Sequence, residues 1–145
     1  MHQLGTRHAR LEAEQDLEGT MATLVEDPVY EFHPIGLRMR GRPLVRRYYE
    51  ELFAGFVVHA RSLVLIDEWV NANSLAQEYE VTVEIEGKPE THRIIGVLVR
   101  EGALLGGERV FASERCLRLM LGDVFDELEP TGSACAEGHT RTGRY

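Results

Sequence analysis

The sequence predicts an α+β fold in which helices precede a run of antiparallel strands, with one domain over residues 1–128 and a flexible tail over 129–145. Two patterns carry this prediction. Residues 44–53 place apolar side chains three and four positions apart, which is helical spacing. Residues 75–85 instead alternate between apolar and polar side chains, which is typical of a strand with one face in water.

Three helices are expected before the main sheet. Residues 7–16 are rich in helix-forming side chains, and Asp16 can cap a second short helix over residues 17–27. A strand of about five residues, 29–33, should follow. The third helix should begin at Pro43, because proline lacks only an N–H that has no partner in the first helical turn.

From residue 57 onward the sequence favours strands separated by turns that contain Gly, Asn or Pro. The predicted strands are 57–70, 75–85, 91–100 and 103–113. Alternation in the second of them places Tyr79 and Val81 toward the helices, and Glu78 and Glu80 on the outer face. A curved sheet of this kind, wrapped on the helices, would enclose a pocket.

The composition limits the classes of partner. The 145 residues are 43% hydrophobic and carry a net charge of −8, which suits one globular domain and argues against nucleic acid. No apolar run approaches the roughly 18 residues needed to span a bilayer, and the N-terminal residues lack a secretory apolar core, so a cytoplasmic protein with no membrane partner is expected. The histidines and acids lack a metal-binding spacing, so neither a metal nor another cofactor is expected. Cys116 and Cys135 should stay reduced.

Several short segments occur in an order that is known from one family. They are Glu26-Asp27, Tyr30-Glu31-Phe32, Gly41-Arg42, Tyr48-Tyr49, residues 96–99, residues 102–104 and Glu108-Arg109-Val110-Phe111. This set, which covers about residues 8–121, resembles the nuclear transport factor two-like superfamily, specifically its SnoaL-like and ketosteroid isomerase-like branches. The resemblance implies a cone-shaped sheet wrapped on three N-terminal helices, a pocket for a small hydrophobic molecule, and a homodimer.

The isomerase branch uses an Asp as general base, and a Tyr with a protonated Asp as oxyanion donors. An ungapped comparison that starts at Asp27 places the base position on Phe32. It places the oxyanion Tyr on His8 and the second acid on Gly96. A supporting Tyr of the family is kept, at Tyr49.

The resemblance also implies which side chains point into the pocket. They are Tyr30, Phe32, Gln77, Tyr79, Val81, His92, Ile94, Glu108 and Val110. An apolar cavity would raise the pKa of Glu108 toward the range of a general acid or base at neutral pH. His8 and Glu12 lie four residues apart and can face the cavity together. The candidate catalytic residues are therefore Glu108, His8 and Tyr49, and the remaining inward side chains are candidate ligand contacts.

Each candidate has a structural alternative. Glu108 could form an ion pair, for example with Arg93, and His8 could be an exposed residue near the N-terminus. The inward tyrosines could serve the core alone.

Three functions fit these patterns. The first is a cofactor-independent acid–base enzyme of isomerase, cyclase or dehydratase type, acting on a hydrophobic cyclic or polyketide-like ligand. The second is a ligand-binding domain without catalysis, and the third is a dimerisation module that uses its sheet. Perturbed ionisable groups in a polar pocket favour the first, an apolar pocket favours the second, and a large exposed apolar patch favours the third.

Overall fold

In the computed structural model, which describes residues 1–132, a curved and unclosed sheet of seven strands carries its α-helices on one face. The helices are α1 (His2–Ala13), α2 (Leu17–Ala22), α3 (Arg42–Glu51) and α4 (Glu114–Leu121). The strands are β1 (Leu24–His33), β2 (Leu37–Arg40), β3 (Ala60–Val70), β4 (Ser74–Ile85), β5 (Lys88–Glu101), β6 (Leu104–Phe111) and β7 (Glu129–Pro130). The strand order is β3-β4-β5-β6-β1-β2-β7.

The predicted α+β class is confirmed, with one difference in the sheet. All neighbouring strands are antiparallel except β1 and β6, which run parallel, so the sheet is mixed. At this junction Gly107 of β6 lies against Val29 of β1 with a φ of +139°, and a Cβ at this position would overlap the Val29 carbonyl. Glycine is therefore required where the two halves of the sheet meet.

Local sequence signals account for the starts of three helices. The Asp16 carboxylate accepts a hydrogen bond from the Gly19 amide at 2.9 Å and caps α2, and Ser113 caps α4 through the Cys116 amide. Helix α3 begins at Arg42, one residue before the predicted start at Pro43, and the proline still lies in the first turn. One face of α3 buries Val45, Tyr48 and Tyr49 completely or nearly so against the sheet.

The boundary between α2 and β1 was predicted wrongly. The helix expected over residues 17–27 ends at Ala22, and the strand expected over 29–33 begins at Leu24. One side chain distant in sequence explains the early end of α2. The guanidinium of Arg42 donates to the carbonyls of Met21, Leu24 and Val25 at 3.0 to 3.2 Å. These bonds satisfy carbonyls that further helical turns would otherwise have used.

The residues expected to form a tail begin with a short strand. Glu129 and Pro130 pair with β2, and the Thr131 amide donates to the Gly36 carbonyl at 2.9 Å. Residues 133–145, which include most of the predicted tail and Cys135, lie outside the described residues.

Candidate functional site

A cavity of about 180 Å³ lies between the inner face of the sheet and helices α1 and α3. Its walls are largely apolar and come from Ala9, Ala13, Leu52, Phe56, Val57, Ala60, Leu63, Val81, Ile94, Gly96, Val110 and Met120. Two tyrosines, Tyr48 and Tyr79, add hydroxyl groups. The charged side chains among the lining residues are two carboxylates, Glu12 and Glu108.

Glu108 extends from β6 into this cavity. Gly96 on the neighbouring strand makes room for it, because a Cβ at position 96 would overlap the Glu108 carboxyl group. The described residues give this carboxyl neither an ion pair nor a hydrogen bond, and Arg93 instead binds Glu78 and Glu80 on the outer face at 2.6 and 3.1 Å. Burial, followed by the negative charge of Glu12, raises the pKa of Glu108 well above its ordinary value. Glu108 therefore gives up its proton less readily than an exposed glutamate does.

His8 lies directly behind Glu12 and is fully buried. The Thr23 hydroxyl donates its single proton to the Thr20 carbonyl at 2.6 Å, so it can only accept from Nδ1 of His8, which lies 2.6 Å away. This contact places a proton on Nδ1. In the neutral imidazole, Nε2 is then the nitrogen with the free lone pair.

The groups around Nε2 link His8 to the cavity. Nε2 lies 3.3 Å from Oε1 of Glu12 and 3.0 Å from the hydroxyl of Tyr49. The Tyr49 hydroxyl in turn lies 2.7 Å from that of Tyr30. Burial raises the pKa of both tyrosines well above the ordinary value, so they remain neutral hydroxyl groups. A continuous polar chain therefore runs from Glu12 through His8 and Tyr49 to Tyr30, whose strand position is directly beside Glu108.

A second polar chain leaves the cavity at Tyr79. Its hydroxyl donates to the side-chain oxygen of Gln77, and the Gln77 amide donates to Glu68 at 2.6 Å. Glu68 also contacts His2 at 3.1 Å on the surface. The Gln77 side chain is thus occupied by neighbours rather than directed into the cavity.

The structure divides the predicted site residues into three groups. Those that line the cavity are Glu108, Tyr79, Val81, Ile94 and Val110. Those buried behind its wall are His8, Tyr49, Tyr30 and Phe32. Those that lie away from it are Gln77 and His92, whose Nε2 is buried 3.5 Å from Glu90 without a hydrogen bond.

Some lining residues had no assignment in the sequence. Tyr48 faces the cavity while its neighbour Tyr49 lies behind the wall, and helical periodicity groups both on one face without separating them. Leu52, Phe56 and Val57 belong to a π-helical and a 3-10 segment, Leu52–Phe56 and Val57–His59, that extend α3. No sequence pattern marked Thr23 as a site residue, although its contact with His8 places the proton on Nδ1.

A second cleft of about 260 Å³ opens on the outer face near Gly107. Its charged groups include Glu31 and Arg109, which lie 3.5 Å apart as an ion pair. Glu31 and Arg109 neutralise each other there, whereas Glu108 in the inner cavity has no ion pair among the described residues. We therefore place the candidate site in the inner cavity.

Within residues 1–132, no group of three or more His, Cys, Asp or Glu side chains is arranged to hold a metal ion. None of the helices there has the length and apolar character needed to cross a membrane.

Comparison with known proteins identifies the fold. No family model and no curated protein matches the sequence. An NTF2-like protein of unknown function from Cytophaga hutchinsonii is similar in structure with a TM-score of 0.66 and 13% identity, over 78% of this chain and 99% of that one. PrhC from Penicillium brasilianum is similar with a TM-score of 0.61 and 16% identity, over 81% of this chain and 82% of that one.

A third similar structure contains a small molecule. It is a protein with a ketosteroid isomerase-like fold from Catenulispora acidiphila in complex with trimethylamine, with a TM-score of 0.61 and 15% identity, over 82% of this chain and 92% of that one. At these identities the likeness concerns the fold. The chain therefore has the nuclear transport factor 2-like fold, as the order of its sequence elements predicted.

Proposed function

We propose that this protein is a cofactor-independent acid–base enzyme that moves a proton on a small hydrophobic molecule held in the inner cavity. The observation that carries the proposal is the pair of cavity carboxylates, Glu108 and Glu12, in different environments. Glu108 has no ion pair or hydrogen bond among the described residues, whereas Oε1 of Glu12 lies 3.3 Å from Nε2 of His8. Two carboxyl groups in such unlike surroundings can act as acid and base in one reaction.

Glu108 has the properties of the acid. Burial raises the pKa of its carboxyl group and so favours the protonated form, which can donate a hydrogen bond or a proton to an oxygen of the ligand. Its strand position holds it more rigidly than a loop would.

Glu12 has the properties of the base. Its carboxylate lines the cavity, and Oε1 lies 3.3 Å from Nε2 of His8. A proton that Glu12 removes from a ligand carbon can be shared with Nε2, because Nδ1 already holds the other imidazole proton. In this proposal His8 and Tyr49 act through Glu12 as positioning residues, without touching the ligand.

The cavity restricts the ligand. Its volume of about 180 Å³ is below the roughly 300 Å³ at which pockets for drug-sized molecules begin, so we expect one or two rings rather than a large polycycle. The apolar walls and the two carboxyl groups suit proton abstraction beside a carbonyl, as in an isomerase, cyclase or dehydratase acting on a hydrophobic cyclic or polyketide-like compound. The trimethylamine in the Catenulispora structure is likewise a small molecule on this fold.

Solvent deuterium exchange provides a direct test. The protein is incubated in deuterated water with cyclohexanone, and deuterium incorporation beside the carbonyl is followed by NMR. We expect Glu108→Gln and Glu12→Gln each to lower the protein-dependent exchange rate by about a hundredfold, as for loss of a general acid or base. Glu80→Gln, on the outer face beside Arg93, is the matched control and should leave the rate unchanged.

A non-catalytic ligand-binding domain is the second candidate. It is favoured by Phe32, which occupies the family's base position and is completely buried. In that case the wild-type protein would accelerate no exchange, while cyclic ketones would still bind in the cavity, as measured by calorimetry.

A further inference from the structure

The direction of the hydrogen bonds in the chain from Glu68 to Tyr79 determines what Tyr79 can offer to a ligand. Glu68, at the surface end of this chain, is a carboxylate, and a carboxylate only accepts hydrogen bonds. The Gln77 side chain must therefore present its amide nitrogen to Glu68 and its amide oxygen to Tyr79. An amide oxygen is an acceptor, so the Tyr79 hydroxyl is the donor in this bond.

The Tyr79 hydroxyl has a single proton, and its bond to Gln77 uses that proton. Burial raises the pKa of Tyr79 above the ordinary value of 10, so the proton stays on the oxygen. Tyr79 lines the cavity and is half-buried, and the described residues give its oxygen no further hydrogen bond. The oxygen of Tyr79 can therefore accept a hydrogen bond from a ligand but cannot donate one.

Tyr48, the other tyrosine that lines the cavity, has no such constraint. The described residues give its hydroxyl no hydrogen bond, so its proton can turn toward a ligand or away from it. Tyr48 can accommodate a ligand group of either kind. Tyr79 instead distinguishes a ligand group that donates a hydrogen bond from one that only accepts.

We propose that the ligand of the inner cavity carries a hydroxyl group in addition to its carbonyl, and that Tyr79 selects this hydroxyl by accepting its hydrogen bond. The inference rests on the proposed function for the carbonyl, and it defines the substrate class as small cyclic hydroxyketones. A second carbonyl in place of the hydroxyl would set lone pairs against the lone pair of Tyr79, and neither group would gain a hydrogen bond. Tyr79 is in this way a specificity-determining residue, and Gln77 is a positioning residue that acts through it.

Binding of two ligands with the same ring tests this selection. Opposite its carbonyl, 4-hydroxycyclohexanone carries a hydrogen-bond donor, whereas 1,4-cyclohexanedione carries only an acceptor there. We expect NMR titration to show that the wild-type protein binds the hydroxyketone about tenfold more tightly, the effect of one hydrogen bond made rather than left unmade. Tyr79→Phe should remove this preference. Tyr48→Phe, the matched loss of one cavity hydroxyl, should retain it.

Gln77→Met tests the cause of the preference. Methionine has a similar shape and is only a weak acceptor, so the Tyr79 proton becomes free to turn toward the cavity. We expect this variant to bind 1,4-cyclohexanedione several-fold more tightly than the wild type does. A role of Gln77 in structure alone would instead weaken the binding of both ligands together. Circular dichroism would establish that each variant is folded.

Three results would overturn the proposal. They are a wild-type protein that does not prefer the hydroxyketone, a preference that survives in Tyr79→Phe, and an affinity for the dione that does not rise in Gln77→Met. The titration requires no turnover, so its result is separate from that of deuterium exchange. Exchange without the preference would contradict hydroxyl selection and leave the acid–base function in place. The preference without exchange would support hydroxyl selection and contradict the acid–base function.

Discussion

Glutamates on the two faces of the same sheet have different neighbours. On the outer face of β4, Glu78 and Glu80 share Arg93. On the inner face, Glu108 of β6 lies in a largely apolar cavity whose other charged lining residue is Glu12. A guanidinium stabilises the carboxylate form, whereas burial and a second negative charge stabilise the protonated form.

This difference shows how one sheet can provide both solubility and chemistry. Exposed pairs such as Glu78–Arg93 stabilise a fold by only about 0 to 1 kcal/mol, because water screens them. A buried carboxyl without a partner costs stability, and the rest of the fold must offset that cost. Unpaired buried groups of this kind are concentrated at functional sites.

The largest expected effect comes from disrupting the junction that brings Glu108 beside Tyr30. Gly107→Ala places a Cβ against the Val29 carbonyl at a φ of +139°, so β1 and β6 must separate. We expect a loss of roughly 3 kcal/mol or more in the free energy of unfolding, measured by urea denaturation.

Gly102→Ala is the matched control for this substitution. Gly102 also has a positive φ, +61°, but no atom lies within 4 Å of a Cβ placed there. Its cost should be about 1 kcal/mol, from backbone strain alone. Equal losses for the two variants would show that the contact with Val29 is unimportant.

A smaller effect is expected from the polar chain behind the cavity. Tyr49→Phe removes the hydroxyl that lies 3.0 Å from Nε2 of His8 and 2.7 Å from the Tyr30 hydroxyl, and it leaves both groups buried. We expect a loss of about 1 to 3 kcal/mol in the free energy of unfolding. Tyr48→Phe is the control, because the described residues give the Tyr48 hydroxyl no hydrogen bond. A loss in Tyr48→Phe that equals the loss in Tyr49→Phe would argue against a structural role for the chain.

These residues also show what the sequence could predict. The alternation of β4 was sufficient to place Tyr79 and Val81 on the inner face and Glu78 on the outer face, because a strand repeats every two residues. The order of helices and strands was sufficient for the fold class and the family of folds. Glu108 could be selected as an inward carboxylate because the resemblance supplied its orientation.

The remaining features depend on contacts between distant segments. The end of α2 depends on Arg42, twenty residues beyond Ala22, and the proton on His8 depends on Thr23 and Thr20. Sequence patterns within a single helix or strand do not indicate contacts between distant segments. They also suggested an exposed His8, because residues near a terminus are commonly frayed, whereas Leu4 and Leu11 anchor α1 and carry His8 into the interior.

The smallest expected effect is a difference in how stability depends on pH, and it compares a carboxyl group shielded by burial with one paired to an exposed arginine. The pKa of Glu108 is raised in the folded state, so its contribution to stability is complete below the ordinary value of 4.5 and is lost as the pH rises through the raised value. The pKa of Glu90, on β5, is lowered by hydrogen bonds from Arg115, so its contribution is present above 4.5 and is lost as the pH falls.

Replacing each glutamate by glutamine should therefore change the slope in opposite directions. Relative to the wild type, Glu108→Gln should gain stability as the pH rises from acidic to neutral values, and Glu90→Gln should lose it over the same range. Urea denaturation at several pH values measures both differences. High salt should flatten the Glu90 difference, because Glu90 and Arg115 form an exposed pair. It should leave most of the Glu108 difference, because burial rather than a neighbouring charge is the main cause of that shift. Parallel slopes for the two variants would mean that the Glu108 carboxyl group is as well solvated as that of Glu90, and the acid role proposed for Glu108 would then lose its physical basis.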